Sequence, residues 1–185
     1  MSRVSPVFRA ARIVREGGII AYPTESVFGL GCDPLDADAV ARILTLKRRR
    51  LESGLILLAA DPVQLGDFIR PSAEEHRRML ASWPGPVSWV VKASAATPDW
   101  ITGGRDTVAV RVTAEPLAAA LCRAAGMAIV STSANRSGRP PTRSALQTRR
   151  RFGGLVDYVL PGAVGGHARP TEIRFASNDK VLRTA

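Results

Sequence analysis

The sequence predicts an α/β fold in which a twisted mixed sheet and its flanking helices form one domain. Segments with apolar residues at helical spacing alternate along the chain with short apolar runs that are typical of buried strands. A length of 185 residues is enough for one substantial core, and a hydrophobic fraction of 45% is ordinary for a globular protein. Since no repeat, low-complexity tail or linker divides the chain, we expect a single domain over residues 1–185.

The predicted helices combine apolar residues at helical spacing with a recognisable start or stop. Residues 36–47 show this best, because Val40 and Ile43 recur at helical spacing after aspartates that can cap the first turn. A capping box (SAEE) at residues 72–75 opens another helix, and the sequence WPGP at 83–86 must end it. In chain order, helices are expected at residues 8–16, 36–47, 72–82, 116–125 and 144–152, with a shorter one opened by residues 61–62.

The predicted strands are short apolar runs between the helices. Residues 107–112 (TVAVRV) alternate, which puts Thr107, Ala109 and Arg111 on one face of a strand. In chain order, strands are expected at residues 19–22, 55–59, 87–91, 108–112 and 128–130, with short ones near 156–159, 173–175 and 181–183.

Composition restricts the class of protein. No apolar run approaches the roughly 20 residues needed to cross a bilayer, and the first six residues (MSRVSP) do not resemble a secretory signal. We therefore expect a soluble cytoplasmic protein without a membrane partner. Cys32, Cys122, His76 and His167 are scattered without metal-ligand spacing, which argues against a disulfide framework or a zinc site.

The net charge of +10, from 26 Lys and Arg against 16 Asp and Glu, is the strongest compositional signal. An excess of this size favours polyanionic partners such as nucleic acid or nucleotide phosphates. The alternative is an arginine-rich composition without a specific partner.

Two polar segments rich in hydroxyl side chains follow apolar strands. After the strand at 128–130 come Ser131, Thr132, Ser133, Asn135 and Ser137. This segment has no carboxylate and lies where open α/β sheets bind ligands, so we expect a loop that holds an oxygen-rich anion. Residues 22–31 (YPTESVFGLG) likewise place Thr24 and Ser26 beyond a strand. The alternatives are a polar turn and a capped turn, respectively.

Three cations are candidates for binding an anion. Lys47 and Arg49 lie two residues apart at a helix end and can converge if the helix unwinds after Lys47, although a solvated basic face is the alternative. Arg111, in mid-strand between valines, needs an acidic partner or a ligand because burial of an unpaired arginine is costly, and we favour the ligand.

The chain lacks the sequence signatures of several common enzyme mechanisms. It has no phosphate-binding G-x-x-x-x-G-K-[ST] loop, no G-x-G-x-x-G fingerprint, no H-E-x-x-H pair and no G-x-S-x-G elbow. Hydroxyls and cations without a nucleophile–base pair suit either electrostatic stabilisation of displacement at phosphorus or simple anion binding. The residue chemistry alone leaves both open.

Several motifs occur in a fixed order along the chain. They are YPTESVFGLG at 22–31, K-x-R at 47–49, WPGP at 83–86, VAVRV at 108–112, STSAN at 131–135, SG at 137–138 and PTEI at 170–173. Together they resemble the YrdC/TsaC family of threonylcarbamoyl-adenylate synthases, over about residues 9–183. The chain is similar to the short, single-domain members, and the resemblance implies a YrdC-like mixed α/β sheet around a basic concave surface.

The resemblance also implies an activity and its partners. Members of this family make threonylcarbamoyl-AMP and pyrophosphate from L-threonine, bicarbonate and ATP, for modification of the adenosine next to the anticodon of tRNA. Mg²⁺ is expected with ATP but without dedicated protein ligands, and no protein metal site is expected. Possible partners are tRNA or double-stranded RNA, together with downstream tRNA-modification proteins.

The resemblance assigns roles to individual residues. Thr24, Arg111 and Thr171 resemble the threonine-binding residues, with Arg111 as the clamp on the carboxylate. Lys47 and Arg49 resemble the catalytic cations on the phosphate side. The expected ATP-binding set is Lys47, Arg49, Thr107, Ser133, Asn135 and Arg183.

Four positions depart from the usual family pattern. Arg50 follows Arg49 where the family usually has proline, and Ser53 stands where lysine or asparagine is common. Phe28 and Ser26 replace a common tyrosine and threonine. The changes at positions 50 and 53 put the backbone path after Arg49, and part of the nucleotide contact, in question, and Arg50 is a candidate for the missing cation.

Two hypotheses of different class follow. The main hypothesis is the nucleotidyl transfer described above. The rival is a non-catalytic module that binds double-stranded RNA or tRNA, for which the net charge of +10 is the motive. The hydroxyl groups and Arg111 favour the first, since electrostatic RNA binding does not need them.

Overall fold

A computed structural model describes residues 5–166 and 171–184, so that His167 and Pro170, both named above, lie outside the described residues. Within the described ranges the chain forms six α-helices and nine strands. The helices are α1 (Pro6–Arg15), α2 (Ala37–Lys47), α3 (Ala73–Ser82), α4 (Asp99–Thr102), α5 (Pro116–Ala125) and α6 (Ala145–Phe152). The strands are β1 (Ile20–Pro23), β2 (Phe28–Gly31), β3 (Ile56–Ala59), β4 (Val87–Lys92), β5 (Thr107–Val112), β6 (Ile129–Ser133), β7 (Tyr158–Val159), β8 (Glu172–Phe175) and β9 (Val181–Arg183).

All nine strands belong to one mixed sheet, in the order β7-β1-β2-β6-β3-β5-β4-β8-β9. The pairs β1–β7, β3–β5 and β4–β8 are parallel, and the remaining neighbours are antiparallel. The predicted α/β class with a mixed sheet is therefore confirmed. None of the helices in the described ranges has the length and apolar character needed to cross a membrane.

Most elements form where the sequence predicts them, because their end signals work locally. Asp36 caps α2 by accepting a hydrogen bond from the amide of Ala39 at 2.9 Å. Ser72 and Glu75 form the predicted capping box of α3. Two short 3-10 turns, Leu51–Ser53 and Pro62–Leu65, complete the first half, the second of them at the place of the predicted short helix.

Three elements differ from the sequence expectation. β2 was missed, since two of its four residues are glycines, which weaken the strand pattern. Gly31 is required there because a Cβ atom at this position would lie 2.6 Å from the carbonyl oxygen of Val130 on the neighbouring strand. The strand predicted at 128–130 is also longer, because pairing of Ser133 with Gly29 of β2 extends β6. The short helix α4 was not predicted either.

The two faces of the sheet are covered differently. On one face, Leu57 packs with Val40 and Ile43 of α2 in the larger apolar cluster. On the other face, Leu58 packs with residues of α1 and α5 in a second cluster. Because strand side chains alternate, Ile56 lies on the same face of the sheet as Leu58. Leu58 is covered by α1 and α5, whereas Ile56, two residues earlier in β3, lines a cavity. Helices α1 and α5 therefore cover only part of this face, and the site lies on the rest.

Candidate active site

The uncovered part of the sheet face forms the floor of a cavity of about 630 Å³. Ile56 of β3, Thr107, Ala109 and Arg111 of β5, and Ser131 and Ser133 of β6 line it. The three residues of β5 share one face, as their alternation predicts. Seven of the nine predicted site residues line this cavity: Thr24, Arg49, Thr107, Arg111, Ser133, Thr171 and Arg183. The described residues that line it include no carboxylate.

Arg111 has the acidic partner considered for it, and it also lines the cavity. Its Nη2 lies 3.2 Å from Oε2 of Glu25, and only 4–5% of either side chain is exposed. Its Nη1 donates a hydrogen bond of 2.6 Å to the hydroxyl of Thr171. The ligand expected from sequence is therefore not needed to explain burial of this arginine.

The pairing of Arg111 leaves two buried polar atoms without a hydrogen bond. Nε of Arg111 and Oε2 of Glu25 lack a hydrogen-bond partner in the described residues, and Oε2 meets Nη2 of Arg111 only as an ion pair. Glu25 is held from behind, since Oε1 accepts a hydrogen bond of 2.6 Å from the hydroxyl of Thr113. A guanidinium that is held in place by a carboxylate and lines a cavity is suited to binding a ligand carboxylate.

Thr24 is buried at the turn between β1 and β2. Its hydroxyl donates to the carbonyl of Val27 at 2.8 Å, and its carbonyl accepts from the amide of Gly165 at 3.0 Å. The turn is capped, as the alternative interpretation holds, yet Thr24 and Ser26 still line the cavity. The capped turn is therefore confirmed, and ligand binding by this segment stays a prediction.

Lys47 does not line the cavity but lies beneath the polar segment 131–137, which begins within β6. Only 2% of Lys47 is exposed. Its ammonium donates to the carbonyl of Ser133, to the carbonyl of Asn135 at 2.9 Å and to Oδ1 of Asn135 at 3.1 Å. The three N–H donors of the ammonium are thus used on the segment itself. Burial, and then the charge of Arg49, lowers the pKa of Lys47 to about 8.

Asn135 is likewise engaged within its own segment and does not line the cavity. Its Oδ1 accepts a hydrogen bond of 2.6 Å from the hydroxyl of Ser133. Its Nδ2 donates to the carbonyls of Arg136 at 3.1 Å and Arg139 at 2.7 Å. Lys47 and Asn135 therefore shape the segment, while Ser133 faces the cavity.

Arg49 and Arg183 approach the cavity from different elements. The left-handed conformation of Arg48 (φ 51°) ends α2, and the chain then directs Arg49 into the cavity. Burial, and then the charge of Arg105, lowers the pKa of Arg49. Arg183 donates to the carbonyl of Thr171 at 2.8 Å, and partial burial followed by the charges of Arg111 and Arg49 lowers its pKa.

The arginine at position 50 is compatible with the backbone path of the family's usual proline. Arg50 adopts φ −71° and ψ 144°, a conformation that proline also takes, so the path after Arg49 does not need the proline. The side chain of Arg50 is 84% exposed and pairs with Glu52 at 3.2 Å. It does not line the cavity, and its candidacy as the missing cation was wrong. Ser53 does line it.

Sequence reasoning missed two functional candidates, Arg105 and Glu25. Arg105 lines the cavity. It was missed because the two glycines before it are typical of an ordinary turn. Glu25 lies inside a quoted motif, and an acidic residue among hydroxyls beyond a strand was the signal that could have identified it as the partner of Arg111.

A protein-held metal does not fit this site. Within the described ranges no group of three or more His, Cys, Asp or Glu side chains could hold an ion. The cavity presents hydroxyls and guanidinium groups, whereas Mg²⁺ prefers carboxylate oxygens.

Comparison with known proteins places the chain in a family. The model of the Sua5/YciO/YrdC family, described as telomere recombination, matches residues 12–185. The chain belongs to the Sua5/YciO/YrdC family. It is 55% identical, over 94% of its length and 95% of the relative, to a threonylcarbamoyl-AMP synthase of Nitrosococcus oceani. It is also 55% identical to one from Halorhodospira halophila, over 96% of this chain and 93% of that relative.

Solved structures of the Sua5/YciO/YrdC family have the same fold. Sua5 of P. abyssi complexed with L-threonine superposes with a TM-score of 0.90 at 34% identity, over 98% of this chain and 55% of that one. The chain therefore spans about half the length of that Sua5 protein. YciO of E. coli superposes with a TM-score of 0.84 at 28% identity, over 96% of this chain and 87% of that one.

Proposed function

We infer that this chain is a threonylcarbamoyl-AMP synthase, which forms threonylcarbamoyl-AMP and pyrophosphate from L-threonine, bicarbonate and ATP. The observation that carries this inference is the 55% identity to synthases of that name over nearly the whole of both chains. The cavity is consistent with it, because one surface presents a paired arginine, hydroxyls and further cations. The names of these relatives describe an enzyme and give no support to the rival RNA-binding module.

The reaction joins three substrates without a covalent enzyme intermediate. The amine of threonine attacks bicarbonate, a C–N bond forms, and water leaves to give a carbamate. A carbamate oxygen then attacks the α-phosphorus of ATP as the bond to the bridging oxygen of the β-phosphate breaks. The electron pair of that bond leaves with pyrophosphate. The protein has to align the two substrates, exclude water from the labile carbamate and offset the charge of the triphosphate.

The threonine end of the cavity is assigned to Arg111, Thr171 and Thr24. Arg111 is held by Glu25 and Thr171 and lines the cavity, so its guanidinium is positioned to clamp the substrate carboxylate. The 34% identical P. abyssi Sua5, which is described in complex with L-threonine, supports this assignment of substrate. No carboxylate in the described lining repels an anionic substrate.

The nucleotide end is assigned to Arg49, Thr107, Ser133 and Arg183, all of which line the cavity. Lys47 and Asn135 complete the set indirectly. Lys47 braces the segment that carries Ser133 and adds its positive charge from beneath. Mg²⁺ is proposed to enter with the triphosphate, on which it would offset negative charge, and no protein residue is assigned to hold it.

The wider setting is also part of the proposal. We propose that residues 1–185 act as one domain in the cytoplasm and that the product serves modification of tRNA next to the anticodon. The partners would be tRNA and the proteins that transfer the threonylcarbamoyl group, and the net charge of +10 favours contact with RNA.

Release of pyrophosphate tests the proposed function. The purified protein is incubated with ATP and bicarbonate, with and without L-threonine. We expect pyrophosphate only when threonine is present. Release that does not depend on threonine, or no release, would overturn the assignment.

A further inference from the structure

A second arginine stands beside Arg49 at the nucleotide end of the cavity. Arg105 lies in the turn between α4 and β5, directly after two glycines with positive φ (69° and 78°). Its Nη1 donates a hydrogen bond of 2.7 Å to the carbonyl of Glu52, and its side chain lines the cavity. Thr107, which is assigned to the nucleotide, lies two residues further along the same chain segment.

Arg49 and Arg105 are attached to one short turn, residues 52–54. Nη2 of Arg49 donates to the carbonyl of Gly54 at 3.0 Å and lies 3.3 Å from that of Ser53. Nη2 of Arg105 lies 2.5 Å from the place that a Cβ atom of Gly54 would occupy. Both guanidinium groups therefore flank Gly54, whose positive φ (62°) favours glycine.

No carboxylate in the described ranges neutralises this pair of charges. Neither arginine has a salt bridge there, and the carboxylate of Glu52 contacts Arg50 instead. The Nε of Arg49 is buried without a hydrogen-bond partner among the described residues. The charge of Arg105 also helps to lower the pKa of Arg49. Two neighbouring like charges repel each other unless an anion lies between them.

We propose that Arg105 and Arg49 form a clamp for the β- and γ-phosphates of ATP and for the pyrophosphate that leaves. This inference rests on the proposed function and adds Arg105 to its phosphate-binding residues. Two guanidinium forks suit a ligand with several phosphate oxygens better than a single carboxylate, for which Arg111 is already placed. Since negative charge moves onto the leaving pyrophosphate, a clamp on that group lowers the barrier of the transfer.

Binding of ATP, pyrophosphate and AMP to Arg105→Gln tests the clamp. Isothermal titration calorimetry is run without threonine on this variant, on wild type and on Arg77→Gln. Arg77 is an exposed arginine of α3 outside the cavity lining, and it serves as a matched control. We expect Arg105→Gln to weaken ATP and pyrophosphate by about tenfold, the loss of one charge-assisted hydrogen bond, and AMP by less than about twofold. Arg77→Gln should leave all three affinities unchanged.

An equal loss for AMP and ATP, or no loss for pyrophosphate, would overturn the clamp. If circular dichroism shows that Arg105→Gln does not fold, Arg105→Lys replaces it, because lysine keeps the charge but not the forked guanidinium. The ratio of ATP to AMP affinity is then compared with wild type in the same way. These titrations need no turnover. A protein that selects pyrophosphate over AMP through Arg105 but makes no adenylate would refute the proposed function alone.

Discussion

Glu25→Gln isolates the buried ion pair that holds Arg111. Glutamine keeps the volume of the side chain and a carbonyl oxygen for the hydroxyl of Thr113, which now donates at 2.6 Å. It removes the negative charge that lies 3.2 Å from Nη2 of Arg111. The variant therefore leaves a buried guanidinium without a counter-charge, while most other contacts of the site can remain.

The expected loss of stability is large because both partners are buried. Removal of one partner of a buried ion pair costs about 3–5 kcal/mol. Since Arg111 also lines the cavity, where water can reach it, we expect the lower end, about 3 kcal/mol. For a chain of this size, each kcal/mol shifts the unfolding midpoint by about 2–4 °C, which predicts a decrease of about 6–12 °C.

Thermal unfolding followed by circular dichroism measures this loss. Glu74→Gln is the control, because its pair with Arg78 at 2.7 Å is at an exposed glutamate and should be worth less than about 1 kcal/mol. The double variant Glu25→Gln/Arg111→Met should lose less than the sum of its single variants, since each single one leaves a lone buried group. A midpoint for Glu25→Gln within about 2 °C of wild type, or strictly additive losses, would refute the role of the pair.

Two further perturbations test contacts around the cavity. The pKa of Lys47 is lowered to about 8 by burial and then by Arg49, whereas the unfolded chain keeps this proton to higher pH. The unfolding free energy of wild type relative to Lys47→Met should therefore rise between about pH 8 and 10, and urea titrations that show a flat or falling difference would contradict this. Tyr22→Phe removes the 2.8 Å hydrogen bond from a fully buried hydroxyl to Ser131. It should cost about 1 kcal/mol and lower the thermal midpoint by about 2–4 °C, and an unchanged midpoint would show that this bond adds nothing.

Local signals in the sequence predicted most of the fold. Spacing, caps and glycine stops located the helices except α4, and alternation in β5 placed Thr107 and Arg111 on one face. β2 was missed because the glycine at position 31 is required by contact with the neighbouring strand. The carbonyl of Val130 on that strand leaves no space for a side chain at Gly31. Such a requirement exists only once the strands are paired.

The site was less predictable, because its contacts join distant parts of the chain. The end of α2 at Lys47 was predicted. The ammonium of Lys47, however, donates hydrogen bonds to Ser133 and Asn135, which lie 86 and 88 positions further along the chain. Glu25 lies in the turn between β1 and β2 and Arg111 lies in β5, so their pairing has no signal in local spacing. Arg105 enters the site only because the turn at 52–54 is folded beside it.

The most direct test of the central claim is the mass of the nucleotide product. The protein is incubated with ATP, L-threonine and ¹³C-bicarbonate, and the nucleotides are analysed by mass spectrometry. We predict an adenylate that contains threonine and one ¹³C atom, because the carbonyl carbon comes from bicarbonate. A threonyl adenylate without the label, or AMP and ADP alone, would contradict the assignment of this cavity to threonylcarbamoyl-AMP synthesis.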